Sequence, residues 1–465
     1  MRPHLRKRFE LNPVYLFALG VSLLAGCQTA PTRSSNPDQW PLLFITLDPL
    51  RADRLGAYGY SRPTSPALDA FAKTATLFQN VTCSMPTTLP SHLTIFTGLS
   101  PTQHGVTRNG MVPAQDLVSI FDLLGDQGIP NAAVVSAQVL DEEYLQGLGL
   151  NEVFFGDGWS MGATQVPGDA VTRRAETWIS ERSDQPFALW LHYFDPHEPY
   201  DPKPDFAQQF VIGYDGPWGN SLSTEWLVSL NSEEIAFQLT GRDQRHISDL
   251  YDAEIAFLDA QLGRLFEFLK TRGIWERLLV VIVAGHGQAH GEQEFWGHGE
   301  LLLEPVIKVP LLIKLPHQDR GHRVSEPVQT LDIVPTLAAL LGLETPAGCT
   351  GRSLLPAFEG EKLETTPPRL VERRTYPSNP TRRGIALLSQ DWKLTHYRET
   401  EGSENHLGKS TGREGLDGQN FFTPDAPGLG LLQEILAAQS SQGEEQTSPL
   451  SQERLEMLRS LEYVQ

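Results

Sequence analysis

The sequence predicts an α/β fold, with a central, mostly parallel sheet between helices and a small C-terminal subdomain. Three observations predict it. From residue 42 onward short apolar runs alternate with amphipathic stretches, the pattern of strands covered on both faces by crossover helices. The chain has 465 residues, 40% of them hydrophobic and 20% charged, enough for one large core and an appendage. Past about residue 360 the apolar runs shorten and a Gly-, Glu- and Ser-rich stretch interrupts them.

Taken in order, Leu42–Leu47 reads as a buried strand ending at Asp48. The Thr-Leu-Pro-Ser of residues 88–91 opens a short helix stopped by Gly98. Leu117–Leu124 reads as a helix and Asn131–Ala137 as a strand. Phe187–Phe194 is a further strand, running into a turn rich in Asp, Pro and His. Ile255, Leu258, Leu262, Leu265 and Leu269 recur at helical spacing, which predicts a helix over Ile255–Leu269 lying on the sheet. Leu278–Ala284 is a strand that opens into Gly285-His286-Gly287; Val309–Leu315 is another, and Asp332–Leu341 a helix. Near the end, Ile385–Leu388 and Trp392–His396 read as short strands and Glu399–Gly418 as a loop. Leu455, Leu458 and Leu461 mark an amphipathic helix after Ser451.

At the N-terminus Arg2, Arg6, Lys7 and Arg8 precede an apolar run, Val14–Leu24. That run is shorter than the about 20 residues a spanning helix needs, and it reads as a signal peptide over 1–26. Its end, Leu24-Ala25-Gly26-Cys27, resembles a bacterial lipobox, which implies acylation of Cys27, export, and a lipid anchor in a bacterial membrane. An ordinary secretory signal with an incidental cysteine is the alternative. Residues 27–40 then form a polar tether. The net charge of −20 argues against a nucleic-acid partner. It leaves open a small anionic ester or glycan as substrate, since a local site can be positive on an acidic protein. Cys83 and Cys349 either pair or stay as buried thiols, and neither has metal-ligand spacing.

In an open α/β sheet, ligands bind beyond the carboxyl ends of strands. Asp48 and His286 both follow strands there. A hydroxyl at a helix N-terminus beside them suits an anion or a metal-bound alkoxide, which points to Thr88. LLFITLDPLRADRLGAYGYSRPTSPALDAFA and TLPSHLTIFTG resemble the opening strand and nucleophile motif of sulfatases, in the alkaline-phosphatase superfamily. PTQHGV, FDPHEPY, YDAEIAFLDAQLGRL, DIVPTLAALLGL and GRSLLP follow in that family's order. The resemblance implies an alkaline-phosphatase-type fold, with a catalytic domain over 41–360 and a small subdomain over 361–465. It implies a hydrolase or group transferase acting on sulfate or phosphate esters.

The departures from the family pattern carry as much information. The nucleophile position falls on Thr88, which cannot become the formylglycine that sulfatases use. Threonine is the nucleophile, on a zinc pair, in superfamily relatives that cleave phosphodiesters and phosphonates. His92 stands where the motif has arginine. The family's second aspartate falls on Pro49, and the aspartate of its Asp-His-Gly falls on Gly285. Calcium takes about six to eight oxygens, and few remain. Imidazoles at His104, His192, His197, His286, His290 and His298, with Asp195, suit zinc or a similar transition metal instead. The resemblance implies that Asp48 and His286 hold one metal that activates Thr88. Asp195, His197 and His298 would hold a second metal or the transferred anion, with His92 lining the site. His104 either lines it or holds a loop. His192, inside a strand, reads as a core histidine and Lys393 as a solvated strand residue. The missing carboxylates also support an alternative: an inactive, metal-free relative that binds an envelope glycan, lipid or protein.

Overall fold

The computed structural model describes residues 40–155, 166–232, 239–364, 368–373, 383–389, 391–399, 402–409 and 428–441. The expected signal peptide, Cys27, most of the tether and the helix expected around Leu455–Leu461 lie outside the described residues. The strands are β1 (Leu42–Leu47), β2 (Thr76–Thr82), β3 (Asn131–Val135), β4 (Glu152–Phe155), β5 (Ala188–Tyr193) and β6 (Leu279–Ala284). They continue with β7 (Ala289–His290), β8 (Trp296–Gly297), β9 (Lys308–Lys314), β10 (His322–Val324) and β11 (Val328–Gln329). A nine-stranded sheet runs in the order β10-β2-β9-β6-β1-β5-β3-β4, with β11 also on β2. Only β9 runs antiparallel to its neighbours in that sheet. This is the mostly parallel sheet expected.

Every residue of β1 is buried, and it lies between β5 and β6 with Leu47 level with Tyr193 and Ala284. A strand covered on both faces needs no polar alternation, which is why Leu-Leu-Phe-Ile-Thr-Leu is nearly all apolar. The two-residue period of β5 sorts its cover into two layers. Trp190 and His192 face the helix Thr88–Thr97, with Trp190 against Phe96 at 4.5 Å between ring centres. Tyr193 faces the helix Gly168–Ser180, its hydroxyl 2.9 Å from Thr172 Oγ1.

The expected elements are present with shifted ends, and several were not foreseen. The helix expected at Leu117 begins at Ile120, because Ser119 and Asp122 form a capping box. The helix expected over Ile255–Leu269 spans Gly241–Thr271. Its first half reads as polar because Asp252 is buried against Arg54 (3.2 Å) and Arg62 (2.7 Å), pinning the loop after β1 to the helix. Strand β2 and the helix Gly168–Ser180 were not foreseen, although Val171, Ala175, Trp178 and Ile179 recur at helical spacing. Among the described residues no helix is long and apolar enough to cross a membrane.

A second sheet of β12 (Arg369–Arg373), β13 (Arg383–Leu388), β14 (Trp392–Glu399) and β15 (Gly402–Lys409) is wholly antiparallel. β15 corrects the first part of the expected loop over Glu399–Gly418, of which residues 410–418 lie outside the described residues: pairing with β14 supplies order that its Gly- and Ser-rich sequence does not signal. Leu394 packs with Ile385, Leu387 and Leu432 in a small core. The opposite side of β14 corrects the reading of Lys393 as solvated. It is buried, and its ammonium donates to the Leu302 carbonyl 3.9 Å from the Glu304 carboxylate.

Asp259, on the long helix, is buried and accepts from the N–H groups of Ala67 (2.7 Å) and Leu68 (2.8 Å) at the start of the helix Pro66–Phe71. Burial pushes its carboxyl up to about 7 despite those bonds. A carboxyl raised from 3.8 to about 7 contributes stability that is whole below the lower value and is lost as pH rises through the upper one. Asp259→Asn should therefore remove that downward contribution and make the denaturation midpoint rise more steeply with pH between about pH 4 and 7. Identical slopes for the variant and the natural chain would remove Asp259 from that role.

Candidate active site at the carboxyl ends of three strands

Beyond β1, β5 and β6 the chain passes into Asp48, Phe194 and Gly285, which the sheet register sets level. Asp48 is fully buried; its Oδ1 accepts from the His286 N–H (3.2 Å), and its Oδ2 has no hydrogen-bond partner among the described residues. Burial raises its carboxyl pKa, against the pull of His92, His197 and the Thr88 hydroxyl. The helix Thr88–Thr97 is buried at all ten positions and ends at Gly98, whose φ of 69° suits a residue without a side chain. Thr88 is its first residue, with Oγ1 3.4 Å from His286 Nε2. The positive end of the helix dipole therefore lies at that hydroxyl.

Five histidines converge here, and each Nδ1 is tied to a protein oxygen. His92 Nδ1 lies 2.7 Å from the Thr88 carbonyl, His197 Nδ1 2.8 Å from the Glu198 carbonyl, and His286 Nδ1 3.0 Å from the Gly287 carbonyl. His298 Nδ1 lies 2.7 Å from Gln288 Oε1. Such oxygens only accept, so each Nδ1 carries the proton and each Nε2 keeps its lone pair. His192 follows suit: Ser136 Oγ donates to the His192 carbonyl (2.7 Å), leaving its oxygen to accept from Nδ1 (3.1 Å). Ring centres are 5.0 Å apart for His92 and His192, 4.3 Å for His286 and His298, and 5.1 Å for His197 and His298. Burial pushes His286 down to about 3, and it holds His92, His192 and His298 below the ordinary value. Neutral imidazole is the form that binds metal.

Two sets of ligand atoms result, each with its members within 4.8 Å of one another: Asp48, His92 and His192, and then His197, Glu198 and His298. Asp48 Oδ2, His92 Nε2 and His192 Nε2 are buried without a hydrogen-bond partner among the described residues. A lone pair stranded in this way costs about 1–3 kcal/mol, so the donor set fits a divalent cation that would meet it.

His286 stands with Asp48 as expected, its Nε2 3.4 Å from both Asp48 Oδ1 and Thr88 Oγ1. The arrangement departs from the expected one at other residues: His92 and His192 also present ligand atoms beside Asp48. His192 is thus no satisfied core histidine. Asp195 is turned away: its Oδ2 accepts from the Gly168 N–H (2.9 Å) at the start of the helix Gly168–Ser180, and burial pushes it up to about 6. Glu198 takes its place beside His197 and His298. His104 holds a loop, since its Nδ1 accepts from the Val106 N–H (3.2 Å) and its Nε2 is left to donate to Thr94 Oγ1 (3.2 Å). Glu198 was visible in FDPHEPY as a carboxylate adjoining an expected ligand. Gln288 carried no signal, because it meets His298 only through a hairpin and Glu198 only from a distant segment. Cys83 and Cys349 are unpaired with each other; Cys349 Sγ donates to the Thr97 carbonyl (3.2 Å).

Gly285 explains how the site does without the missing aspartate. A Cβ there would lie 2.7 Å from Ser91 Oγ, 2.8 Å from Asp48 Oδ1 and 3.1 Å from His92 Cε1. The space is taken by Ser91 and Asp48, with His92, which stands where the motif has arginine, just beyond them.

The sheet order and the ligand-rich pocket beyond its strand ends define a hydrolase of the alkaline-phosphatase superfamily. The chain belongs to the sulfatase family: the Sulfatase family model matches residues 42–343. A model for the C-terminal part of N-sulphoglucosamine sulphohydrolase matches residues 291–407. The chain is similar to the delta 4,5-hexuronate-2-O-sulfatase of Bacteroides thetaiotaomicron, with 22% identity over 82% of this chain and 84% of that protein. The N-acetylglucosamine-6-O-sulfatase of the same organism is likewise 22% identical, covering 82% of each chain. In fold, the phosphonate monoester hydrolase of Agrobacterium radiobacter superposes with a TM-score of 0.66 at 20% identity, over 86% of this chain and 96% of that one.

Two outcomes follow from the packing. His92, His104, His192, His286, His290 and His298 are all held below the ordinary 6.5 by burial, His286 at about 3 and His104 at about 4. Their contribution to stability is whole above 6.5 and is lost as pH falls towards 3, by up to about 1.4 kcal/mol per pH unit for each group. The metal-free protein should unfold at a markedly lower denaturant concentration at pH 5 than at pH 7.5; equal midpoints would contradict the burial of neutral imidazoles. Gly285→Asp should lower both thermal stability and metal uptake, as calorimetry and metal titration would read, because its Cβ meets Asp48 and Ser91. Raised metal uptake would show that the pocket still accepts a carboxylate there.

Proposed function

We propose that this chain is a metal-dependent hydrolase, or group transferase, of sulfate or phosphate esters, with Thr88 as nucleophile. It works in the cell envelope, tethered through acylated Cys27. The observation that carries this reading is the set of buried lone pairs on Asp48, His92 and His192, with no hydrogen-bond partner among the described residues, beside a hydroxyl at a helix N-terminus. Imidazole with carboxylate favours zinc or a similar transition metal over calcium. Asp48, His92 and His192 would hold one ion and His197, Glu198 and His298 another. Bound there, such ions supply positive charge for the entering and leaving oxygens.

The chain's own residues provide the rest. His286 Nε2, with its lone pair 3.4 Å from Thr88 Oγ1, is placed to receive the hydroxyl proton. At a pKa of about 3 it is a weak base, so the reaction depends on the hydroxyl being acidified by its surroundings. The threonine oxygen attacks sulfur or phosphorus, the alcohol leaves, and water or an acceptor alcohol then releases the anion from Thr88. The dipole of the Thr88–Thr97 helix favours the anionic group at that position. Relatives named for hexuronate and N-acetylglucosamine sulfates support a sulfated or phosphorylated glycan as substrate. The rival reading, an inactive binding protein, leaves the stranded lone pairs without a reason, since a decayed site fills such positions with apolar side chains or internal hydrogen bonds.

The test is elemental analysis of the purified protein followed by turnover of aryl sulfates, aryl phosphodiesters and aryl phosphonates. Thr88→Ala should lower kcat by at least about 1000-fold while Thr88→Ser keeps a measurable rate. Unchanged turnover in Thr88→Ala, or no metal bound in excess zinc, cobalt or manganese, would sink the proposal.

A further inference from the structure

The two ligand sets are held in different ways. His92 is tied to a main-chain carbonyl and His192 to Ser136, so the first set is anchored by the helix Thr88–Thr97 and by the end of β3. In the second set, two of three members meet on one side chain. Gln288 Oε1 accepts from His298 Nδ1 (2.7 Å), and Gln288 Nε2 donates to Glu198 Oε2 (3.1 Å). Gln288 is buried, and its backbone is fixed on both sides: its N–H donates to the Pro305 carbonyl (3.1 Å), and its carbonyl accepts from Arg51 Nη1 (3.2 Å).

The local fold explains why these groups meet. β7 and β8 form a tight antiparallel pair in which Ala289 faces Gly297 and His290 faces Trp296. Residues 288 and 298 are the next position outward on that ladder, so the hairpin returns His298 to the residue that preceded it. Glu198 arrives from the loop after β5, a separate segment. A carboxamide is the side chain that can serve both: its oxygen requires a donor, which fixes the Nδ1–H tautomer of His298, and its nitrogen requires an acceptor, which fixes the Glu198 carboxylate. Leucine could serve neither, and glutamate would set a second carboxylate against Glu198.

We propose that Gln288 is the positioning residue of the second ligand set, and that it decides whether His197, Glu198 and His298 can hold a divalent ion. This rests on the reading of those three side chains as ligands. Gln288 touches no reacting atom in this scheme and acts only through His298 and Glu198.

The experiment titrates the metal-free full chain with cobalt(II), following visible absorption and stoichiometry, for the natural protein, Gln288→Leu and the near-isosteric Gln288→Glu. The natural chain should take up about two ions. Both variants should keep the first and bind the second about 10- to 100-fold more weakly. His298→Ala combined with Gln288→Leu should weaken the second ion by less than the sum of the two single effects, because only the Glu198 contact is then left to lose, whereas His92→Ala should leave the second-ion effect of Gln288→Leu unchanged. Thermal unfolding of the metal-free forms controls for folding; if Gln288→Leu fails to fold, Gln288→Glu carries the comparison. A natural chain that binds two ions, with both variants titrating as it does, overturns the role of Gln288. A natural chain that binds fewer than two overturns the underlying assignment of the second set, and the role of Gln288 with it.

Discussion

The site depends on one constraint: ionisable groups are buried at the ends of β1, β5 and β6, where a bare charge is expensive. The chain meets it by keeping His92, His192, His286 and His298 neutral and directing each Nδ1–H to an oxygen of its own. What remains is a set of lone pairs facing inward and a buried carboxylate, Asp48, half of which has no partner. Packing alone does not explain such a pocket. A core histidine with both nitrogens satisfied would look like His104, and the contrast between the two tautomers separates ligand from scaffold more clearly than burial does.

The second sheet contributes to this arrangement from outside. Lys393 and Tyr397, on one side of β14, both reach Leu302: the lysine donates to its carbonyl, and the tyrosine hydroxyl accepts from its N–H (2.7 Å). Arg373 on β12 donates to the Gly299 carbonyl (3.2 Å). These contacts grip the segment that directly follows His298. The antiparallel sheet is thus joined to the pocket by polar bonds, in addition to the apolar packing of Leu394 on its other side.

Much of the fold was legible in the sequence because strands buried on both faces leave unbroken apolar runs. β1 and β6 matched expectation to within a residue for that reason. β15 was missed because its order comes from a neighbour, and the first half of the long helix was missed because buried Asp252 and its arginines imitate a solvated face. Within the pocket, Asp48, Thr88, His197, His286 and His298 were legible from position and resemblance. The roles of His192, Glu198 and Gln288 were not, because each is defined by a partner far away in sequence. Asp195 was misplaced for the converse reason: proximity to His197 along the chain said nothing about direction, and its side chain turns to the N–H of Gly168.

Gly285 bears on how such a pocket could have arisen. Its missing Cβ leaves the volume that Ser91, Asp48 and His92 now close around. A single substitution towards an oxygen-rich site collides with that packing, and a single change at His92 leaves a void with no carboxylate to fill it. The two pocket chemistries are therefore separated in sequence space by a valley. A lineage crosses it only by changing several positions together or by passing through a form that holds its ion poorly. Related chains should accordingly cluster into two discrete sets at positions 285 and 92, with few intermediates.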